Sequence, residues 1–196
     1  MQRSGCKNMF RLLLAGLVLM AGSSATRAAS VAGSQAISVG KTTINTTKVG
    51  TATTFVFSNL TTSSPNDGDF ASIALGTSVG SGPFTLKITP FSFTFGNAAF
   101  GTFVGTSITD DFAMGNFRNI ELVGSFKGGT LFPGKGTAAP ATLAIGLTQA
   151  GGAKKSISAS FTLDIAPVVP EPASVAMLGL GLAGALGAVR LRRKSA

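Results

Sequence analysis

Two runs in the last third of the chain place an apolar residue at every second position, and this spacing constrains the fold more than any other feature. Leu143, Ile145 and Leu147 form the first run, and Ile157, Ala159, Phe161, Leu163 and Ile165 form the second. Ser156, Ser158, Ser160, Thr162 and Asp164 occupy the alternate places. A period of two belongs to a β-strand with one dry and one wet face, whereas a helix needs its apolar residues three and four apart. The polar stretch from Gln149 to Lys155, with Gly151-Gly152 inside it, joins the runs as the connection of a hairpin.

The same alternation recurs upstream. Phe55 and Phe57 share a face in Thr54-Phe55-Val56-Phe57, and Ile120, Leu122 and Phe126 define another strand with Glu121 and Lys127 outward. Phe84, Leu86 and Ile88 alternate with Thr85, Lys87 and Thr89, but beyond Pro90 the apolar positions become Phe91, Phe93 and Phe95. Parity thus flips from even to odd. A flat continuous strand would turn half of these rings to water, so a bulge or sharp bend is expected at Thr89-Pro90. Ser63 to Gly68 reads as a turn by composition, and Ser30 to Val49 as part strand and part loose leader. No segment between the termini shows helical spacing with caps. The expected fold is all-β, an antiparallel β-sandwich of about eight to ten strands over residues 29–166, with phenylalanine supplying the bulk of one core.

The C-terminal stretch follows different rules. Pro167, Pro170 and Pro172 each fix φ and withhold an N–H, so residues 167–172 are expected to be an extended, unpaired linker. The uncharged run from Ala173 to Val189 has 17 residues. As a helix rising about 1.5 Å per residue it covers roughly 25 Å, slightly less than the ~30 Å hydrocarbon core, and spans with little tilt. Arg190, Arg192, Arg193 and Lys194 follow in residues 190–196 and cannot cross cheaply, which places that end in the cytoplasm and the preceding domain outside. The order Val-Pro-Glu-Pro, glycine-rich apolar helix and basic end resembles the PEP-CTERM sorting signal. That resemblance implies export, recognition of Pro170, Glu171 and Pro172 by an exosortase-type processing enzyme, a transmembrane helix at 173–189 and a stop-transfer cluster at Arg190 to Lys194. It further implies a cell-surface or extracellular-matrix location after processing, in company with exopolysaccharide or biofilm. The likeness covers only about a seventh of the chain.

Residues 1–28 read as a secretory signal peptide. Arg3, Lys7 and Arg11 form the basic region, Leu12 to Gly22 the apolar region, and cleavage is expected after Ala28, with Ala25 as the second choice. Cys6 precedes the apolar run and leaves with it. The net charge of +9 then loses its meaning as a nucleic-acid signature. Eight of the 16 basic residues lie in the two termini, and the other eight face seven acidic ones. No nucleic-acid partner is therefore expected.

With no His in the chain and no Cys after residue 6, a Ser-His triad, a thiol nucleophile and an imidazole-bound zinc are excluded. Two carboxylate pairs remain, Asp67 with Asp69 and Asp110 with Asp111. Asn66-Asp67-Gly68-Asp69 offers oxygens that suit calcium, yet such residues most simply make turns. Lys154-Lys155 reads as a solvated hairpin tip. No cofactor or metal is implied, and the expected function is a non-catalytic exported surface protein. The alternative is a ligand-binding β module, for glycan, calcium or ordered water, held by a plain single-span helix.

Overall fold

The computed structural model describes residues 29–152 and 154–167. The expected signal peptide with its Ala28 cut and the expected span at Ala173–Val189 lie outside them. Among the described residues no helix is long and apolar enough to cross a membrane. The only helical segments there are two short 3-10 turns, Val49–Thr51 and Gly68–Ser72.

The strands among the described residues are nine, β1 (Gly33–Ile44), β2 (Thr54–Asn66), β3 (Ser78–Gly80), β4 (Phe84–Lys87), β5 (Thr94–Asn97), β6 (Gly101–Met114), β7 (Phe117–Gly128), β8 (Ala139–Gln149) and β9 (Ile157–Ile165). They form one antiparallel sheet in the order β3-β2-β1-β9-β8-β7-β6-β5, with β4 also on β2. The sheet rolls up until its two edges meet. Asn97 Nδ2 donates to Ser78 O at 2.9 Å across the gap, the Phe84 and Phe95 rings lie 6.4 Å apart, and Lys87 and Ser92 exchange backbone hydrogen bonds. A nearly closed barrel thus replaces the expected two-sheet sandwich. Both architectures require the same inward-outward alternation, so the pattern of residues does not separate them.

The local expectations fare unevenly. The expected hairpin forms, with Leu143 facing Leu163, Ile145 facing Phe161 and Leu147 facing Ala159. At Thr89-Pro90 the chain turns back altogether between β4 and β5, which accommodates the parity change. The expected turn at Ser63 to Gly68 begins later, because β2 runs on to Asn66 and takes up the extra residues Ser64 and Pro65 as a bulge opposite Gln35 and Ala36. Of the stretch Ser30 to Val49, expected to be part strand and part loose leader, Gly33–Ile44 forms the 12-residue strand β1, hydrogen-bonded to β2 on one side and to β9 on the other. Its Thr and Ser residues lack bulk, but backbone bonding to two neighbours compensates.

Inside the barrel, Phe55, Phe57, Phe70, Phe93, Phe95, Phe100, Phe103, Phe126 and Phe161 are all fully buried. Phe57 meets Phe161 edge to face at 4.8 Å, and Phe70 meets Phe132 at 5.2 Å in the same manner. Edge-on contacts place the positive rim of one ring on the negative face of another and let many rings fill one core without voids.

Candidate functional surfaces at the two ends of the barrel

Gly33 at the start of β1 lies opposite Ile165 at the end of β9, so the described chain enters and leaves at the same end of the barrel. The loop after β2 is pinned there by its carboxylates. Asp67 Oδ1 accepts from the Ser34 N–H at 2.5 Å, Asp69 Oδ2 accepts from the Ala32 N–H at 2.8 Å, and Asp69 Oδ1 pairs with Lys135 Nζ. The backbones meet closely enough to demand glycine. Gly33 (φ +128°) and Gly68 (φ +57°) stand face to face, and a Cβ on Gly68 would lie 2.8 Å from the Gly33 Cα. Lys135 beside Asp69 and the Ala32 amide hold its carboxyl below the usual 3.8, against the opposing effect of desolvation. Asn66 Nδ2 donates to Phe70 O at 3.1 Å. The segment that offered oxygens to calcium therefore directs its acidic side chains at two backbone amides and an ammonium group. No three His, Cys, Asp or Glu residues come together among the described residues.

Beside this exit lies an open groove of about 470 Å³, whose lining includes Ser34, Asp67, Gly124, Thr142, Asp164 and Pro167. It carries two carboxylates and no aromatic wall, and one of those carboxylates is already bound to the Ser34 amide.

At the opposite end the sequence reading missed the organising residues. Arg118, only 6 % exposed, grips Asp111 with both arms, Nε to Oδ1 at 2.7 Å and Nη2 to Oδ2 at 2.6 Å. Its Nη1 donates to Ala52 O and, at 3.4 Å, to Val49 O, and its guanidinium lies 5.2 Å from the centre of the Phe55 ring. Gln149 is buried at the end of β8 rather than belonging to the polar connection. Its Oε1 accepts from the Val49 N–H at 3.0 Å and its Nε2 donates to Thr47 O at 3.0 Å. A signal for both existed, since Arg118 shares parity with Ile120 and Leu122, and Gln149 with Leu147. Asp110 and Asp111 do not act as a pair, because Asp111 is taken by Arg118 while Asp110 stays exposed opposite Glu121. Lys154 and Lys155 are exposed in the β8–β9 connection, where the Lys154 N–H is bound to Thr47 O.

Pro170, Glu171, Pro172, Arg190, Arg192, Arg193 and Lys194 lie outside the described residues, which end at Pro167. The PEP-CTERM protein-sorting motif family matches residues 168–194, starting immediately after Pro167. No curated protein matches the chain. No solved structure does so either.

Proposed function

From a chain that carries a PEP-CTERM protein-sorting motif, and is thus marked as an exported protein whose tail is the recognition signal for exosortase, we propose a non-catalytic surface protein. Its barrel works outside the cytoplasm, at the cell surface or in an exopolysaccharide matrix. The tail from Val168 to Lys194 serves first as anchor and then as processing site. The observation that carries this reading is the position of the motif. It begins one residue past Pro167, after the last strand has completed the core, so a cut near Pro172 releases the barrel whole. Support for a non-catalytic role comes from the acidic residues, since Asp67, Asp69 and Asp111 are committed to amides, Lys135 and Arg118.

The deciding test is intact mass and cell fractionation of the protein from its own host beside a Glu171→Ala, Pro172→Ala variant. The expected result is a native C-terminus near Pro172 and a variant that stays full length in the membrane fraction. Retention of Arg190 to Ala196 in both would overturn processing and leave a plainly anchored domain.

The groove beside Pro167 supports a second reading, a glycan-binding module, because Ser34, Thr142 and Asp164 converge there from three neighbouring strands. Calorimetric titration with neutral and amino-bearing oligosaccharides decides it. Heat of binding that disappears in Asp164→Asn would favour this reading, and its absence for both sugar classes would dismiss it.

A further inference from the structure

The end of the barrel opposite the tail carries an exposed apolar tip. Met114 pairs with Phe117 across a two-residue turn, Gly115-Asn116, in which Gly115 has φ +59°, the conformation glycine supplies at the first position of a tight hairpin. Phe112 is 53 % exposed, Met114 68 % and Phe117 41 %, and the two Phe rings lie 6.5 Å apart. Three large apolar groups are thus exposed together on one hairpin end, and such patches mark interaction sites.

This tip is held in place. Asn116 O accepts from the Gln149 N–H at 2.8 Å, Gly50 packs against Gly115, and the Lys154 N–H donates to Thr47 O at 3.0 Å. Those contacts tie the hairpin turn, the 47–51 loop and the β8–β9 connection into one cap. The cap also presents Lys48, Lys154 and Lys155, all exposed and none in an ion pair among the described residues. Of the nearby acidic groups, Asp111 is neutralised by Arg118, and Asp110 stands further back along the hairpin opposite Glu121. An apolar tip beside three exposed lysines fits one kind of surface well: headgroups that attract lysine, above acyl chains that accept phenyl and thioether groups. A sugar chain would need a trough lined with hydrogen-bonding groups, whereas the large side chains exposed on this hairpin end are Phe112, Met114 and Phe117. Since the tail leaves from the other end, this surface is distinct from the tail's own anchorage.

We infer that the Phe112–Met114–Phe117 tip with Lys48, Lys154 and Lys155 is a docking site for an anionic lipid bilayer. The chain contains no Trp and no Tyr, so a single introduced indole reports cleanly. The full chain bearing Met114→Trp is mixed with vesicles of pure phosphatidylcholine or with vesicles containing about a third phosphatidylglycerol. Leu131→Trp serves as the comparison, near the exit end. The Met114→Trp emission is expected to move to the blue, and to be quenched by brominated acyl chains, only with the anionic vesicles. Adding Lys48→Glu, Lys154→Glu and Lys155→Glu to the reporter should weaken binding about a hundredfold at low salt. Adding Phe112→Ser and Phe117→Ser instead should weaken it about tenfold. All the altered positions are exposed, and an unchanged far-UV circular dichroism spectrum verifies each fold. A reporter that stays in water with anionic vesicles overturns the inference, as does equal entry into neutral ones. It also fails if alginate without lipid produces the shift, or if raising the protein concentration alone does so, since these outcomes assign the tip to an acidic polysaccharide or to a second copy.

Discussion

At the scale of single residues the barrel is secured by a few polar side chains whose partners lie far away in sequence. Arg118 satisfies a carboxylate and two loop carbonyls at once, and its guanidinium lies next to Phe55. Its removal leaves Asp111 without its cation and the carbonyls without a donor. Arg118→Ala is therefore expected to cost about 3 kcal/mol by urea denaturation, and Arg118→Lys to restore only part of this, because an ammonium cannot reproduce the fork. Gln149→Ala should cost about 2 kcal/mol, since the buried Val49 N–H loses its acceptor. Asp69 has its folded pKa below 3.8, chiefly through the hydrogen bond from Lys135. A depressed carboxylate stabilises the fold fully above its unfolded pKa, and this contribution fades as pH falls through the folded one. The difference in urea midpoint between the native chain and Asp69→Asn should accordingly hold steady above about pH 5 and narrow below about pH 4.

At the scale of elements, the β8–β9 hairpin is the best specified part of the molecule, because every inward position of β9 from Phe161 onward is apolar and deeply buried. Phe161 meets Phe57, Phe93 and Phe95, so Phe161→Ala opens a cavity between strands from both sides of the barrel, and a loss of about 4 kcal/mol is expected in chemical denaturation. The β5–β6 hairpin depends on backbone shape instead. Gly96 has φ +130°, and a Cβ there would lie 1.9 Å from Gly101 O. Gly96→Ala should therefore unpair β5 and raise amide exchange across Thr94–Asn97 far more than in β8 or β9.

Taken whole, the molecule has a firm side and a weak seam. β1, β9, β8 and β7 lie side by side with long registers, whereas β3, β4 and β5 are short and meet across a gap bridged by Asn97, Phe84 with Phe95, and the Lys87–Ser92 turn. Hydrogen exchange of the native protein should be slowest in β8 and β9 and fastest at this seam, and uniform protection around the barrel would rule out a weak seam. Entry and exit at one end leave the other free for a partner. The described chain leaves beside Gly33 and Ile165, and the cap stands at the far end of the barrel.

Much of this was readable from residues alone, because strand faces are written locally. Alternation every second residue identified the all-β antiparallel class, the β8–β9 hairpin, the shared face of Phe55 and Phe57, and a bulge or sharp bend at Thr89-Pro90. The order of proline motif, apolar run and basic end identified the sorting tail, which the family match at 168–194 bears out. Other features depended on partners distant in the chain. Ser30 to Val49 read as part strand and part leader, and only the flanking β2 and β9 make Gly33–Ile44 a paired inner strand, while Asp69 read as a turn residue or metal ligand until Lys135, 66 positions away, met it. A rolled sheet and a sandwich ask for the same alternation, and only the meeting of β3 and β4 with β5 distinguishes them. Periodicity tells each side chain whether it faces in or out, whereas which strand lies opposite is a property of the closed sheet.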